Sequence, residues 1–158
     1  MYKSSLTPIQ ALQKIKHFCA YQERCHSEVK EKLYGYGLRK SEVEQLLSQL
    51  IEEDYLNEER FAEQFAGGRF RLKKWGRVKI RYELKQRQVS DYCIRKGMKV
   101  IDDEAYFNTL QQLFEQKSRE LRREKNVFIR KRKLQDYLMQ KGYETEYIRE
   151  LLNRKEPE

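Results

Sequence analysis

The sequence predicts an all-α protein built as three tandem three-helix repeats, forming an elongated, curved helical array. Three observations carry that reading. The 158 residues contain seven glycines and two prolines, and Pro8 and Pro157 sit near the ends, so 148 residues between them lack the strongest helix breaker. Lys, Arg, Glu, Gln and Leu dominate, all good helix formers, and no Asn-Gly or Asp-Gly pair signals a hairpin. The third observation is an internal repeat.

Val29, Ile80 and Leu134 align as one column. Leu33, Leu84 and Leu138 follow one helical turn later on the same face. Four residues on stand Gly37, Gln88 and Gly142, and Gly at this point signals a helix stop because it is able to take positive φ. An apolar residue follows each stop (Leu38, Val89, Tyr143), and a second apolar pair begins the next helix (Val43 and Leu47, Ile94 and Met98, Ile148 and Leu152). The helix–stop–helix unit thus occurs three times, offset by 51 and then 54 residues, as in stacked helical repeats.

A further helix precedes each pair. Thr7-Pro8 offers an N-cap with Pro at N1, followed by Ile9, Leu12, Ile15 and Cys19 at helical spacing. Asn57 caps the next, with Phe61, Phe65 and Leu72 along it. Asp102 or Asp103 caps the third, with Phe107, Leu110, Leu113, Phe114 and Leu121 behind it. The expected helices are 8–22, 26–36, 41–53, 57–73, 76–87, 90–99, 103–124, 126–141 and 144–154, in repeats 1–56, 57–101 and 102–158. Gly67-Gly68 falls inside the fourth, as a kink or close helix contact on one reading and a hinge on another.

The charge pattern bounds the partners. The formal charge is +9, but residues 1–66 carry −2 and residues 67–158 carry +11. Nine cations lie between Arg69 and Arg87 against Glu83 alone, and nine more between Lys117 and Lys133 against Glu120 and Glu124. Such a chain presents its basic end to a polyanion or an acidic protein surface. The longest apolar runs are a few residues, too short to span a bilayer, and the N-terminus has no apolar signal-peptide region. Three cysteines (Cys19, Cys25, Cys93) without framework spacing point to the reducing cytoplasm.

Catalysis finds no support in the residues. There is no phosphate-cradling Gly loop and no nucleophile elbow. His17 and Cys19 lie two apart and face different sides of a helix, so with Cys25 and His26 they do not make a zinc pattern. No cofactor, metal or enzyme activity is expected. The tyrosines are read as packing groups at the repeat joints that keep a polar tip wet.

The contact residues are expected in the basic segments. Arg69, Arg71, Lys73 and Lys74 interleave with aromatics, and Arg77, Arg81 and Lys85 form an i, i+4, i+8 stripe suited to phosphates or carboxylates along a groove. Arg122, Arg123, Arg130 and Arg132 extend the track if the repeats stack. Trp75, the only tryptophan, can stack on a base or pack against a neighbouring helix, and packing is the favoured reading.

Asn57-Glu58-Glu59-Arg60-Phe61-Ala62, then Arg69, Gly76, Ile80, Glu83-Leu84 and Gln88-Val89, resemble the signature of the RecX family of bacterial recombination regulators. That signature runs roughly D-x-R-F-A, a downstream Arg, then G-x-x-x-I-x-x-E-L-x-x-x-G-I. Two departures, at Asn57-Glu58 and at Gln88-Val89, touch a cap and a helix stop. The resemblance covers nearly the whole chain and implies three tandem three-helix repeats. It further implies binding to the RecA–single-stranded DNA filament and inhibition of its extension, ATPase, strand exchange and coprotease activity. Weaker, salt-sensitive binding of single-stranded DNA, no membrane association and a monomeric state are expected alongside. The competing reading is a general nucleic-acid-binding helical protein without a recombinase partner.

Overall fold

The computed structural model describes residues 5–154. Among these, nine α-helices and no strands occur: α1 (Pro8–Tyr21), α2 (His26–Gly35), α3 (Lys40–Glu52), α4 (Glu58–Lys73), α5 (Arg77–Gln86), α6 (Asp91–Met98), α7 (Asp103–Glu120), α8 (Val127–Lys141) and α9 (Thr145–Asn153).

Local chemistry sets the ends. The Thr7 hydroxyl accepts from Gln10 N–H at 3.2 Å, while the Gln10 side chain accepts from Thr7 N–H at 3.1 Å, a reciprocal cap. Asn57 Oδ1 accepts from Arg60 N–H at 3.0 Å, and Asp102 Oδ2 accepts from Ala105 N–H at 3.0 Å. The three stop positions, Gly37, Gln88 and Gly142, all adopt positive φ, at 87°, 62° and 97°. After two of them the chain closes the helix with paired bonds. Val89 N–H reaches Leu84 O and Gln88 N–H reaches Lys85 O, and Tyr143 and Gly142 do the same to Leu138 and Met139.

The residues fall into two compact units. One runs to Gln64 and takes in Leu84–Gly97; the other takes Phe65–Glu83 and everything described from Met98 onward. The first unit has a core of Ala11, Ile15, Cys19, Val29, Leu33, Leu38, Val43, Leu46, Leu50 and Leu56. Several of its acidic residues are engaged within the fold. Arg60 pairs with Glu23 and, at 3.2 Å, with Asp54, while His26 Nδ1 lies 2.8 Å from Glu58. Burial pushes the Cys19 thiol up to about 11, so it stays a protonated apolar group at neutral pH.

The second unit is organised around Tyr106, which is fully buried. Its ring meets Phe70 and Tyr143 at centroid distances of 5.8 and 5.1 Å. Its hydroxyl donates to the Glu144 carboxylate and accepts Arg77 N–H at 2.9 Å. This tyrosine does not keep a wet tip, as the sequence reading had it, because the fold supplies both hydrogen-bond partners internally.

Four further expectations are corrected. Ile9, Leu72 and Phe107 are exposed rather than core, with Leu72 84% exposed. Periodicity assigns an angle on a helix, not a neighbour to fill it. Helix α7 ends at Glu120 rather than at 124 because the chain turns there, with Arg122 N–H on Arg119 O and Glu124 N–H on Leu121 O.

Candidate anion-binding site

The second unit gathers cations from two places in the chain. Phe65, Ala66 and Phe70 turn the last turns of α4 toward the core, which leaves Arg69 and Lys73, one turn apart, on the side facing Trp75. The helix stops at Lys74, whose φ is 57°. Trp75 N–H then donates to Arg69 O at 3.2 Å.

The link from α4 to α5 is fastened to the α8–α9 turn. Gly76 N–H donates to Lys141 O at 2.7 Å, and Val78 N–H donates to Gly142 O at 3.0 Å. Tyr143 Oη donates to Lys74 O at 2.8 Å, and Lys141 Nζ donates to Lys73 O at 3.3 Å. Gly76 lies so close to Gly142 that a methyl group on it would sit 2.3 Å from the Gly142 carbonyl. The start of α5 therefore meets the end of α8, placing free N–H groups against free carbonyls, where helix dipoles attract.

This junction sets the geometry around Trp75. The half-buried indole packs edge-on to Phe65 at 6.4 Å. Lys79 Nζ lies 4.5 Å from its centre, the Arg69 guanidinium 5.4 Å and Lys73 Nζ 5.5 Å. Arg69 also covers the Phe65 ring at 4.6 Å, and its buried Nε has no hydrogen-bond partner among the described residues. Lys141 and the exposed Lys74 join the group through the junction bonds. No carboxylate among the described residues lies within ion-pair distance of Arg69, Lys73, Lys74, Lys79 or Lys141. Like charges about 8 Å apart cost each other roughly 0.5 kcal/mol even in water. A compact group of them without counter-charge favours a bound anion.

The expected contact residues divide. Arg69, Lys73, Lys74 and Trp75 come together here, and Arg71 and Arg81 are exposed. Arg77 is turned inward. Its guanidinium covers Tyr106 at 4.0 Å, bonds Asp103 at 2.5 Å and reaches Ile101 O at 3.4 Å, so it ties the fold instead of meeting an external anion. Lys85 is exposed but belongs to the other compact unit. Arg122, Arg123, Arg130 and Arg132 surround the turn between α7 and α8. Sequence reasoning missed Lys79 and Lys141. The first lies off the Arg77–Arg81–Lys85 stripe, and the Gly76–Gly142 approach brings the second to the link between α4 and α5.

A basic all-helical protein with three-helix domains and a carboxylate-free cation cluster is the class these observations define. Family models for "RecX, second three-helix domain" and "RecX, third three-helix domain" match residues 57–98 and 103–152. The "Regulatory protein RecX" of Thermotoga petrophila is 31% identical over 134 residues, covering 85% of this chain and 77% of that protein. That of Clostridium tetani is 30% identical over 128 residues, covering 80% of this chain and 58% of that protein. The chain thus spans little more than half the length of the second relative. The crystal structure of RecX from Lactobacillus salivarius shares the fold, with a TM-score of 0.81 at 17% identity, covering 92% of this chain and 94% of that one. The chain belongs to the RecX family.

Proposed function

We propose that this chain regulates homologous recombination and DNA repair by binding the RecA–single-stranded DNA filament, inhibiting its extension, ATPase, strand exchange and coprotease activity. Family membership supports the regulatory role. The observation that carries the contact is the group of five cations at the α4–α5 link, three of them over the Trp75 ring, which meets the phosphate backbone. Arg69, Lys73, Lys74, Lys79 and Lys141 supply it, with Arg71 and Arg81 at its margin. Arg77 supports it from within, by holding the start of α5 against α7. Trp75 organises the cations over its ring and remains half-buried. Naked single-stranded DNA binds the same group more weakly, because it lacks the protein contacts of the filament.

The test reverses Lys73, Lys79 and Lys141 to Glu together. Each neutralised phosphate on a single strand contributes about −0.7 to the slope of log affinity against log salt, so losing three flattens it by roughly 2. Suppression of RecA's DNA-dependent ATPase should need far more of the variant than of the parent. An unchanged salt slope together with ATPase suppression at parental concentrations would refute the assignment. Equal salt slopes for filament and naked DNA in the parent would favour a general nucleic-acid binder.

A further inference from the structure

The turn between α7 and α8 carries a feature that phosphate binding does not use. Val127, Phe128 and Ile129 form the first turn of α8 and are 46%, 86% and 44% exposed. Phe61, Phe65 and Phe70, by contrast, are all buried. Scattered exposed apolar residues are ordinary, but three in succession on one helical turn present apolar surface around most of its circumference.

This tip is held in shape. Asn126 Oδ1 accepts both Phe128 N–H and Ile129 N–H, at 3.0 and 3.2 Å. Glu124 accepts Asn126 N–H at 3.3 Å and pairs with Lys133 at 3.6 Å, while its carbonyl accepts from Arg130 at 3.4 Å. The local acids are thereby taken up, since Glu120 pairs with Lys117. Arg122, Arg123, Lys125, Lys131 and Arg132 remain exposed, with no carboxylate of the described residues in reach.

We infer that the α7–α8 tip is a protein-docking knob, in which Phe128 enters an apolar pocket of the partner and the surrounding cations meet carboxylates at that pocket's rim. Charge complementarity argues for this occupant. An apolar tip gains nothing from phosphates, whereas an aromatic anchor inside a charged rim is the usual construction of a protein–protein contact. A helix lying on a membrane needs an apolar face along its length, and here Arg130–Lys133 fill the very next turn with cations. The inference rests on the filament reading in that the pocket belongs to the protein component of the filament, while the Trp75 cluster serves its DNA.

The experiment compares Phe128→Ala and Phe128→Leu with the parent, measuring affinity for the RecA–single-stranded DNA filament and for naked single-stranded DNA. Phe128 is so exposed that both variants should melt with the parent. Truncating an interface anchor typically costs a factor of about 30 or more. Phe128→Ala should lose that factor on the filament while keeping its naked-DNA affinity and its salt slope, and Phe128→Leu should recover most of it. Filament affinity within threefold of the parent would overturn the inference. A parallel loss on naked DNA would make the tip a wedge between bases instead. Binding of the parent to vesicles of one-third phosphatidylglycerol in phosphatidylcholine, abolished by Phe128→Ala, would assign it to a lipid surface. If the parent itself fails to bind the filament, the filament reading falls first and takes this one with it.

Discussion

Gly76→Ala tests the junction that builds the Trp75 cluster. The added Cβ would lie 2.3 Å from the carbonyl carbon and oxygen of Gly142 and 2.5 Å from Tyr143 N, against an ordinary contact distance of 3.4 Å or more. These are backbone atoms, so no flexible side chain can move aside. The two backbones must part by about 1 Å, and that movement strains the bonds from Gly76 N–H to Lys141 O and from Val78 N–H to Gly142 O. Overpacking of this kind costs about 1–3 kcal/mol, and each weakened hydrogen bond adds roughly 0.5–1.5. A total of about 2–6 kcal/mol corresponds to a drop of roughly 4–24 °C in Tm for a chain of this size.

The opposing effect is small. Replacing Gly by Ala at an unstrained site stabilises by about 0.4–1 kcal/mol through the unfolded chain. The two outcomes differ in sign, so thermal melting followed by circular dichroism decides between them. Single-stranded DNA binding should weaken at temperatures where the variant is still folded, because Lys79 and Lys141 move with the junction. A Tm equal to or above the parent's would refute the close approach and, with it, the placement of Lys141 at the α4–α5 link.

Three further outcomes are expected. Gly68→Ala should raise Tm by a few degrees, since nothing lies within 4 Å of the added Cβ and an interior helical Gly costs about 1 kcal/mol; a stabilised variant that no longer inhibits RecA would mark the site as a hinge. Alkali should unfold the chain cooperatively, because burial, the larger cause, raises the pKa values of Tyr106 and Tyr143 well above the ordinary 10. The folded state then holds protons that the unfolded state has released, so this contribution is intact below about pH 10 and is lost as pH rises above it. Tyr106→Phe removes the hydroxyl shared by Arg77 N–H and Glu144, costing about 1–3 kcal/mol. Full tyrosine ionisation with the helical signal intact would contradict the alkaline prediction.

Helix boundaries were legible because their causes are local. Thr7, Asn57 and Asp102 cap through their own side chains, and Gly37, Gln88 and Gly142 mark stops within a repeated column. The site was legible only in part. Arg69, Lys73, Lys74 and Trp75 are neighbours in sequence and remain neighbours in the fold. Arg77 looked equally available, since a stripe at every fourth position says nothing about what lies opposite. The carboxylate of Asp103 and the ring of Tyr106 claim it from another helix. Lys141 could not be found from the sequence, because two glycines lacking side chains are what permit its approach. Leu72 and Ile9 fit the apolar period of their helices, yet no helix among the described residues covers them.

Net charge is a poor guide to where this chain attracts an anion, because many of its cations have internal partners. Arg60, Lys16, Arg77, Lys117 and Lys133 all pair with carboxylates inside the fold. Pairs of this kind add little stability individually, but they remove cations from competition for a ligand. Two groups among the cations left over ask for different anions. Beside Trp75, Lys79, Arg69 and Lys73 all lie within 5.5 Å of the centre of one half-buried ring, and crowded point charges suit the regular spacing of phosphates. At the α7–α8 tip they ring three apolar side chains, and only a partner offering carboxylates around a hydrophobic pocket satisfies both. The two contacts should therefore respond to different agents: salt displaces the first by returning counterions to DNA, while the second persists for as long as the apolar anchor stays buried. If both proposed contacts form, the chain should stay on a filament under salt conditions that strip it from bare DNA.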